Sequence, residues 1–338
     1  MGKHARSRGR RAGCWTVLWA VVAGSLGACA SAQGADGRPL VVTTVAPITS
    51  IVASVVGDQA RVVGIVPEGI NSHTFEPKPS VAKDLAQADI IFMNGLQLEE
   101  PTRKLAEANR KKRTELVQLG DRTITPEQYL FDFSFPKEEG KPNPHLWTNP
   151  LMAKRYAEIV AEAMSKIDPR SAAVYTSNLA AFSARIDRLD AAMRTAFATI
   201  PDGQRQLLTY HDAYGYFALE YGWTILGAIQ MSDFEDPTPK DVVRLVQQLK
   251  ASGVKAIFGS EVFPSPVLDQ LSKEAGVAYV DDLRDDDLPG VPGGAEHSYL
   301  ALMRFDFITM TEALGGDPLA LQQVDVSPVV PDRAIYPQ

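Results

Sequence analysis

Histidines at the ends of predicted strands and helices are the residues best suited to chemistry in this chain. There are five histidines, and four of them lie beyond the first 29 residues: His73, His145, His211 and His297. The first three stand in loops among stiff or polar neighbours. In open α/β sheets the loops beyond the carboxyl ends of the strands are where ligands bind. A single loop histidine is usually exposed or hydrogen-bonded, and we interpret His297 in that way.

A carboxylate follows the last predicted strand. Asp281 comes directly after that strand and His211 directly after an earlier strand of the same sheet, with His73 and His145 expected to face them from the other half of the chain. Three imidazoles and one carboxylate form a donor set that suits zinc or another first-row divalent ion. Asp282 is the alternative to Asp281, because neighbours on an extended backbone point to opposite sides. The ordinary interpretation of this acidic run is a solvated loop.

Two α/β units must position these residues. From residue 40 onward, short apolar β-branched runs alternate with amphipathic segments, which is typical of a mostly parallel sheet flanked by helices. The predicted elements of the first unit are Leu40–Val45, Ile48–Val56, Arg61–Val66, Val81–Ala86, Asp89–Met93, Pro101–Asn109 and Pro150–Lys166. Those of the second unit are Gln206–Tyr210, Thr224–Leu226, Lys240–Ser252, Val254–Phe258, Pro266–Ala275 and Val277–Val280.

A long helix is predicted between the units. Asp168 is a suitable N-cap and Pro169 a suitable first residue, and apolar side chains then recur at every third or fourth position. About 30 residues at 1.5 Å each give a rod of roughly 45 Å. We therefore predict an N-terminal lobe at residues 40–167, a rigid linking helix at 168–200 and a C-terminal lobe at 201–338.

Residues 1–29 have the build of a secretory signal peptide. Five basic side chains precede the apolar run Trp15–Leu26, which is shorter than the roughly 20 residues of a transmembrane helix. The segment ends Leu-Gly-Ala-Cys and resembles the lipobox of bacterial lipoproteins, which implies that Cys29 is acylated and becomes the first mature residue. Soluble secretion is the alternative, since small residues also flank Cys29. Residues 30–39 are interpreted as a short flexible tether.

Charge and cysteine content limit the possible partners. Without residues 1–29 the chain has a net charge of about −12, which repels phosphate backbones and attracts cations. We therefore expect no nucleic-acid partner. The only other cysteine, Cys14, lies inside the signal segment, so the mature chain cannot form an internal disulfide.

The histidine segments, taken in order and with their spacing, resemble the metal-binding receptors of bacterial ABC importers for zinc and manganese. The family segment His-Thr/Ser-Phe/Tyr-Glu-Pro is matched at residues 73–77. Asp-Pro-His-x-Trp-x-Asp-Pro is matched at 143–150, with Asn at both acidic positions, and His-Asp-Ala-Phe/Tyr-x-Tyr-Phe at 211–217. The similarity extends over residues 40–315, where Asp306 replaces the usual Asn.

The resemblance implies that one metal ion lies between the lobes, bound by His73, His145, His211 and Asp281, the last in a Tyr-x-Asp-x-Leu context. Manganese receptors of the family often have Glu at the third position, whereas this chain has histidine, so zinc is favoured. Many zinc receptors carry a His-rich acidic loop before the second ligand. Residues 129–143 contain no histidine, and manganese and iron therefore remain alternatives.

The implied function is extracytoplasmic capture of a divalent metal and its delivery to an ABC permease with a cytoplasmic ATPase. We expect a monomer held at the membrane by the lipid on Cys29. A metal-binding adhesin or a metallochaperone would use the same site. A zinc hydrolase with Glu261 as general base is the rival class. The chain lacks a His-Glu-x-x-His helix, so we predict no enzyme and interpret Glu261 as a carboxylate that orients a metal ligand.

Overall fold

The structure is a computed structural model, which describes residues 37–230, 237–260 and 265–337. The predictions for Cys29 and Glu261 lie outside the described residues. The described part of the chain belongs to one compact unit. None of its helices is both long enough and apolar enough to cross a membrane.

The first lobe is built on a four-stranded parallel sheet. Its strands are β1 (Leu40–Val42), β2 (Arg61–Val63), β3 (Ile90–Met93) and β4 (Glu115–Gln118). Its helices are α1 (Ala46–Val56), α2 (Val81–Gln87), α3 (Glu100–Asn109) and α4 (Pro150–Ile167). The strand order is β2-β1-β3-β4. β1 and β3 are apolar throughout and fully buried, as expected for central strands covered on both faces. β4 was not predicted, because its run Glu-Leu-Val-Gln is short and half polar.

The predicted linking helix is confirmed and runs through the core as α5 (Ala172–Phe197). It begins later than expected, since Pro169–Ser171 forms a 3₁₀ turn. Asp168 makes no side-chain capping hydrogen bond, and its carboxylate accepts a hydrogen bond from the Tyr175 hydroxyl at 3.2 Å. The 26 residues of α5 span about 39 Å. The helix packs against α1 and α4 of the first lobe and against helices of the second.

The second lobe repeats the architecture of the first. Its strands are β5 (Gln206–Thr209), β6 (Thr224–Ala228), β7 (Ala256–Ser260) and β8 (Ala278–Leu283). Its helices are α6 (Gly215–Tyr221), α7 (Pro239–Ser252), α8 (Pro266–Ala275), α9 (Tyr299–Ala313) and α10 (Leu319–Gln322). All pairs are parallel and the order is β6-β5-β7-β8, the same as in the first sheet. The predicted fold class, two α/β lobes with parallel sheets, is confirmed.

The last residues of the chain return to the first lobe, although the sequence assigned them to the second. Ile335 donates its N–H to the carbonyl of Val62 at 2.9 Å and accepts from the N–H of Gly64 at 2.9 Å, beside the edge strand β2. Tyr336 is buried, with its ring against the edge of the His297 ring at 4.4 Å between centroids. The tail therefore covers the open edge of the first sheet and supplies partners for its backbone groups.

The packing of α5 can be tested with one core substitution. Leu189 is fully buried on this helix, so Leu189→Ala should leave a cavity and lower the free energy of unfolding by about 2–5 kcal/mol. Chemical denaturation followed by circular dichroism measures this change. Val174→Ala, at a position on α5 that is 39% exposed, is the control and should change stability by about 0.5 kcal/mol or less. Equal losses in the two variants would contradict the described packing.

Candidate metal centre

Three histidine rings converge between the lobes. His73 lies in the loop after β2, His145 in the loop after β4, and His211 two residues after the end of β5. Their Nε2 atoms are 3.1 Å (His73 to His145), 3.3 Å (His73 to His211) and 2.9 Å (His145 to His211) apart. A tetrahedral zinc ion with Zn–N bonds of about 2.0–2.1 Å holds its ligand nitrogens about 3.3 Å apart. The triangle therefore fits one ion after a small outward adjustment.

Amide oxygens fix the orientation of two of these rings. The Nδ1 atom of His145 is 2.8 Å from Oδ1 of Asn143, and Nδ1 of His211 is 2.6 Å from Oε1 of Gln230. Because an amide oxygen only accepts, each Nδ1 carries the proton and donates it. In the neutral form of each ring, Nε2 is then left with a lone pair directed at the centre of the triangle, which is the form of histidine that binds a metal.

The Asp132 side chain and the Asp212 backbone hold the Asn143 amide in this orientation. The Asn143 Nδ2 group donates to Oδ2 of Asp132 at 2.9 Å and to the carbonyl of Asp212 at 2.8 Å, so its oxygen must face His145. Burial together with the charge of the neighbouring Asp212 raises the pKa of Asp132 to about 9. The Asp132 carboxyl group is therefore protonated at neutral pH.

Burial also sets the charge of the histidines. It lowers the pKa of His73 and of His145 well below 6.5, and the charge on a protonated His211 would lower both further. Both rings are therefore neutral at pH 7. A metal ion does not have to displace protons from them, which favours binding at that pH.

The carboxylate that the structure brings to the histidines is Asp285, and not Asp281 as predicted. Oδ2 of Asp285 lies 3.4 Å from Nε2 of His211, and the Asp285 side chain is 3% exposed. β8 continues to Leu283, three residues beyond its predicted end, so Asp281 and Asp282 lie within the strand and are exposed. The placement of Asp281 in the cleft is therefore corrected: the strand leaves the sheet later than its apolar residues indicate.

A shift in register accompanies the longer strand. Phe258 pairs with Val280 and Ser260 with Leu283, so β8 carries one extra residue in that interval. Directly after Leu283 the chain turns, and Oδ1 of Asp306 accepts the backbone N–H of the next residue at 2.9 Å. Asp306 is fully buried and also accepts from the Tyr214 hydroxyl at 2.9 Å. This carboxylate, at the position where the family usually has Asn, therefore fixes the point at which the metal-facing loop begins.

Two hydrogen bonds then hold Asp285 in place. The Ser260 hydroxyl donates to its Oδ1 at 3.2 Å, and the indole N–H of Trp147 donates to its backbone carbonyl at 2.8 Å. Trp147 is fully buried and lies two residues after His145, and the two rings meet edge to face. The carboxylate of the second lobe is thus positioned by a residue of the first.

The acidic run after β8 is buried, whereas the sequence indicated a solvated loop. Asp286 accepts a hydrogen bond from the Ser72 hydroxyl at 2.6 Å, and Asp287 accepts from the Gly69 N–H at 2.7 Å. Burial, reinforced by neighbouring carboxylates, raises the pKa of Asp286 and of Asp287 to about 7. These contacts connect the loop of Asp285 to the loop that ends in His73.

A surface pocket gives access to the centre. It opens onto His73 between Gln97, Phe135, Glu139 and Lys141. His73 is half-buried, while His145 and His211 are buried. A hydrated cation therefore meets the His73 ring first.

Several residues of the centre gave no recognisable signal in the sequence. Gln230 lies beyond β6, far along the chain from any histidine motif, and Asp286 belongs to a run that looks like a solvated loop. Asn143 is part of a histidine motif, but its role as an anchor for His145 follows only from its contacts. Asp132 pairs with Asp212 across the lobes, a contact that spacing along the chain does not indicate.

Comparison with known proteins agrees with the interpretation of this site as a metal centre. The family described as "Zinc-uptake complex component A periplasmic" matches residues 41–313. The manganese-binding lipoprotein MntA of Halalkalibacterium halodurans is 26% identical over 300 residues, which cover 88% of this chain and 96% of the relative. The iron-binding protein YfeA of Yersinia pestis is 29% identical over 279 residues, which cover 81% of this chain and 86% of the relative.

A solved structure agrees with the described fold. The periplasmic zinc-binding protein TroA from Treponema pallidum superimposes with a TM-score of 0.73 at 26% identity, covering 82% of this chain and 99% of that chain. The names of these three proteins describe metal binding and not catalysis, in agreement with the prediction that the chain is not an enzyme. The matched region contains all three histidines of the triangle and both lobes, and the chain therefore belongs to the family of the periplasmic zinc-uptake component A.

Proposed function

We propose that this protein is an extracytoplasmic receptor that binds one divalent transition-metal ion, with zinc favoured, and delivers it to an ABC-type permease. The observation that carries the proposal is the triangle of Nε2 atoms from His73, His145 and His211, with sides of 2.9–3.3 Å. Two of the three rings have Nδ1 fixed by an amide oxygen. Imidazoles oriented in this way are suited to binding a metal ion.

The chemistry of the donors and the relatives together limit the metal. The three similar proteins described above are named for manganese, iron and zinc. Imidazole nitrogen favours zinc over manganese, and the intrinsic affinity order for first-row divalent ions runs the same way. Zinc is therefore the favoured cargo, with manganese and iron as alternatives.

Asp285 is proposed as the fourth donor in place of Asp281. Its Oδ2 atom is buried and has no hydrogen-bond partner among the described residues. A buried carboxylate oxygen without a partner is unfavourable, and a bound cation would compensate for it. Three histidines and Asp285 would fill a tetrahedral zinc shell and leave no position for a reactive water, which supports binding and not hydrolysis.

Transport requires that the site can also release its metal. His73 and His145 come from the first lobe, whereas His211 and Asp285 follow strands β5 and β8 of the second. A permease that shifts the loops of the second lobe would separate the two pairs of donors. We propose that the receptor acts as a monomer, anchored outside the cytoplasm by a lipid on Cys29, with a permease and its ATPase as partners.

Titration of the purified protein with zinc and manganese in the presence of a competing chelator tests the proposal. The wild type should bind one equivalent of metal, with zinc bound more tightly. Asp285→Ala and His211→Ala should each lower zinc affinity by about 10- to 100-fold or more, since even partners of metal ligands have effects of that size. Asp281→Ala is the matched control and should leave affinity unchanged, because Asp281 is exposed within β8.

Two outcomes would count against this assignment. A wild-type protein that binds neither metal would refute the proposed function. A loss of affinity in Asp281→Ala but not in Asp285→Ala would restore the carboxylate expected from the sequence.

Metal affinity should also depend on pH. Protons compete with the metal for the imidazole nitrogens, so zinc affinity should be nearly constant just above neutrality and fall in acid, below about pH 6. The lowered pKa of His73 and His145 displaces the decline to lower pH than for exposed histidines. Competition titrations from pH 5 to 8 measure this trend. An affinity that rises as the pH falls would contradict ligation by neutral imidazoles.

A further inference from the structure

A second buried carboxylate faces the metal centre beside Asp285. Asp286 is 4% exposed. The donor atoms of His145, Asp285 and Asp286 lie within 4.8 Å of one another. This group shares His145 with the histidine triangle, so the two groups adjoin on one side of a single centre.

The two oxygens of Asp286 have different surroundings. Oδ2 accepts a hydrogen bond from the Ser72 hydroxyl at 2.6 Å. Oδ1 is buried and has no hydrogen-bond partner within the described part of the chain. A carboxylate held by one oxygen, with the other desolvated and unpaired, is unfavourable unless a cation or a donor lies near the second oxygen.

The donor set decides which cations such a centre accommodates. Four donors, three imidazoles and Asp285, satisfy tetrahedral zinc. Manganese prefers more ligands and more oxygen, and carboxylate oxygen is among the donors that suit it. A second carboxylate at the edge of the zinc shell therefore adds little to the affinity for zinc. It adds much to the affinity for a cation that takes a fifth or sixth ligand.

We propose that Asp286 is a fifth donor, which coordinates Mn²⁺ through Oδ1 while Oδ2 stays on Ser72, and which zinc does not require. Asp286 then determines how well the centre binds oxygen-preferring cations relative to zinc. This inference rests on the proposed function of the same site, since it assumes that the histidine triangle binds a metal.

Asp287 provides a matched control. It is the next residue, is also buried, and its Oδ2 accepts from the Gly69 N–H at 2.7 Å, so it tethers the same loop as Asp286 does. Within the described part of the chain, Asp286 lies with the donor atoms of His145 and Asp285, whereas Asp287 does not belong to such a group. Replacement of either residue by Asn keeps an oxygen that can accept the loop hydrogen bond and removes the anionic donor.

The test is competition titration of Mn²⁺ and Zn²⁺ into the wild type, Asp286→Asn and Asp287→Asn at pH 7. Asp286→Asn should lower Mn²⁺ affinity by about tenfold or more, equivalent to about 1.4 kcal/mol, and Zn²⁺ affinity by much less. Asp287→Asn should change the two affinities by the same factor. Equal losses for both metals in Asp286→Asn, or no loss for either, would overturn the inference and leave Asp286 as a structural tether.

Cobalt provides a second readout, and its first measurement uses the wild type alone. Co²⁺ in a five-coordinate site absorbs visible light more weakly than Co²⁺ in a tetrahedral site, so the wild-type complex should show a weak five-coordinate spectrum. Asp286→Asn should increase the intensity toward the tetrahedral form. An intense tetrahedral spectrum already in the wild type would contradict fivefold coordination. Failure of the wild type to bind Zn²⁺, Mn²⁺ or Co²⁺ would instead refute the proposed function itself.

Discussion

The structure depends on the close approach of three imidazole nitrogens, the Nε2 atoms of His73, His145 and His211. These nitrogens lie 2.9–3.3 Å apart, and side chains behind two of the rings hold the arrangement. Asn143 and Gln230 accept the Nδ1 protons of His145 and His211. The Asn143 amide is in turn oriented by the protonated Asp132 carboxyl group and the Asp212 carbonyl, so these two residues help to set the direction of a metal ligand.

The interface between the two lobes is the second constraint on the structure. The loop of Asp285 is tied to the first lobe through Trp147, Ser72 and Gly69. The Tyr299 hydroxyl at the start of α9 donates to the carbonyl of Trp147 at 2.6 Å, which connects the same tryptophan to a helix of the second lobe. With α5 packed against both lobes and the C-terminal tail on the edge of the first sheet, a wide hinge opening would break many buried contacts. Capture and release are therefore better explained by local movement of the donor loops than by separation of the lobes.

Much of the fold was predictable from the hydrophobic periodicity of the sequence. The histidines of the metal centre were predictable from their motifs and spacing. The helix α5 was predictable because its apolar residues recur over many turns, and β1 and β3 because buried parallel strands are apolar throughout. β4 was missed because four residues with a polar residue at each end carry little signal. His73, His145 and His211 stand in long motifs, which made their convergence predictable.

The errors arose where long-range pairing overrides local pattern. The end of β8 is set by its register with β7, and the extra residue in that pairing moves the metal-facing position from Asp281 to Asp285. The burial of the acidic run depends on Ser72 and Gly69, more than two hundred residues away in the chain. The pairing of Ile335 with the first sheet likewise joins residues that are far apart in the chain. No local sequence pattern reports such contacts.

The most direct test of this account is a crystal structure of the metal-loaded protein with anomalous diffraction at the zinc absorption edge. The account predicts one strong anomalous peak, within bonding distance of the Nε2 atoms of His73, His145 and His211 and of a carboxylate oxygen of Asp285. A peak bound to Asp281, or one located away from the histidine triangle, would contradict it.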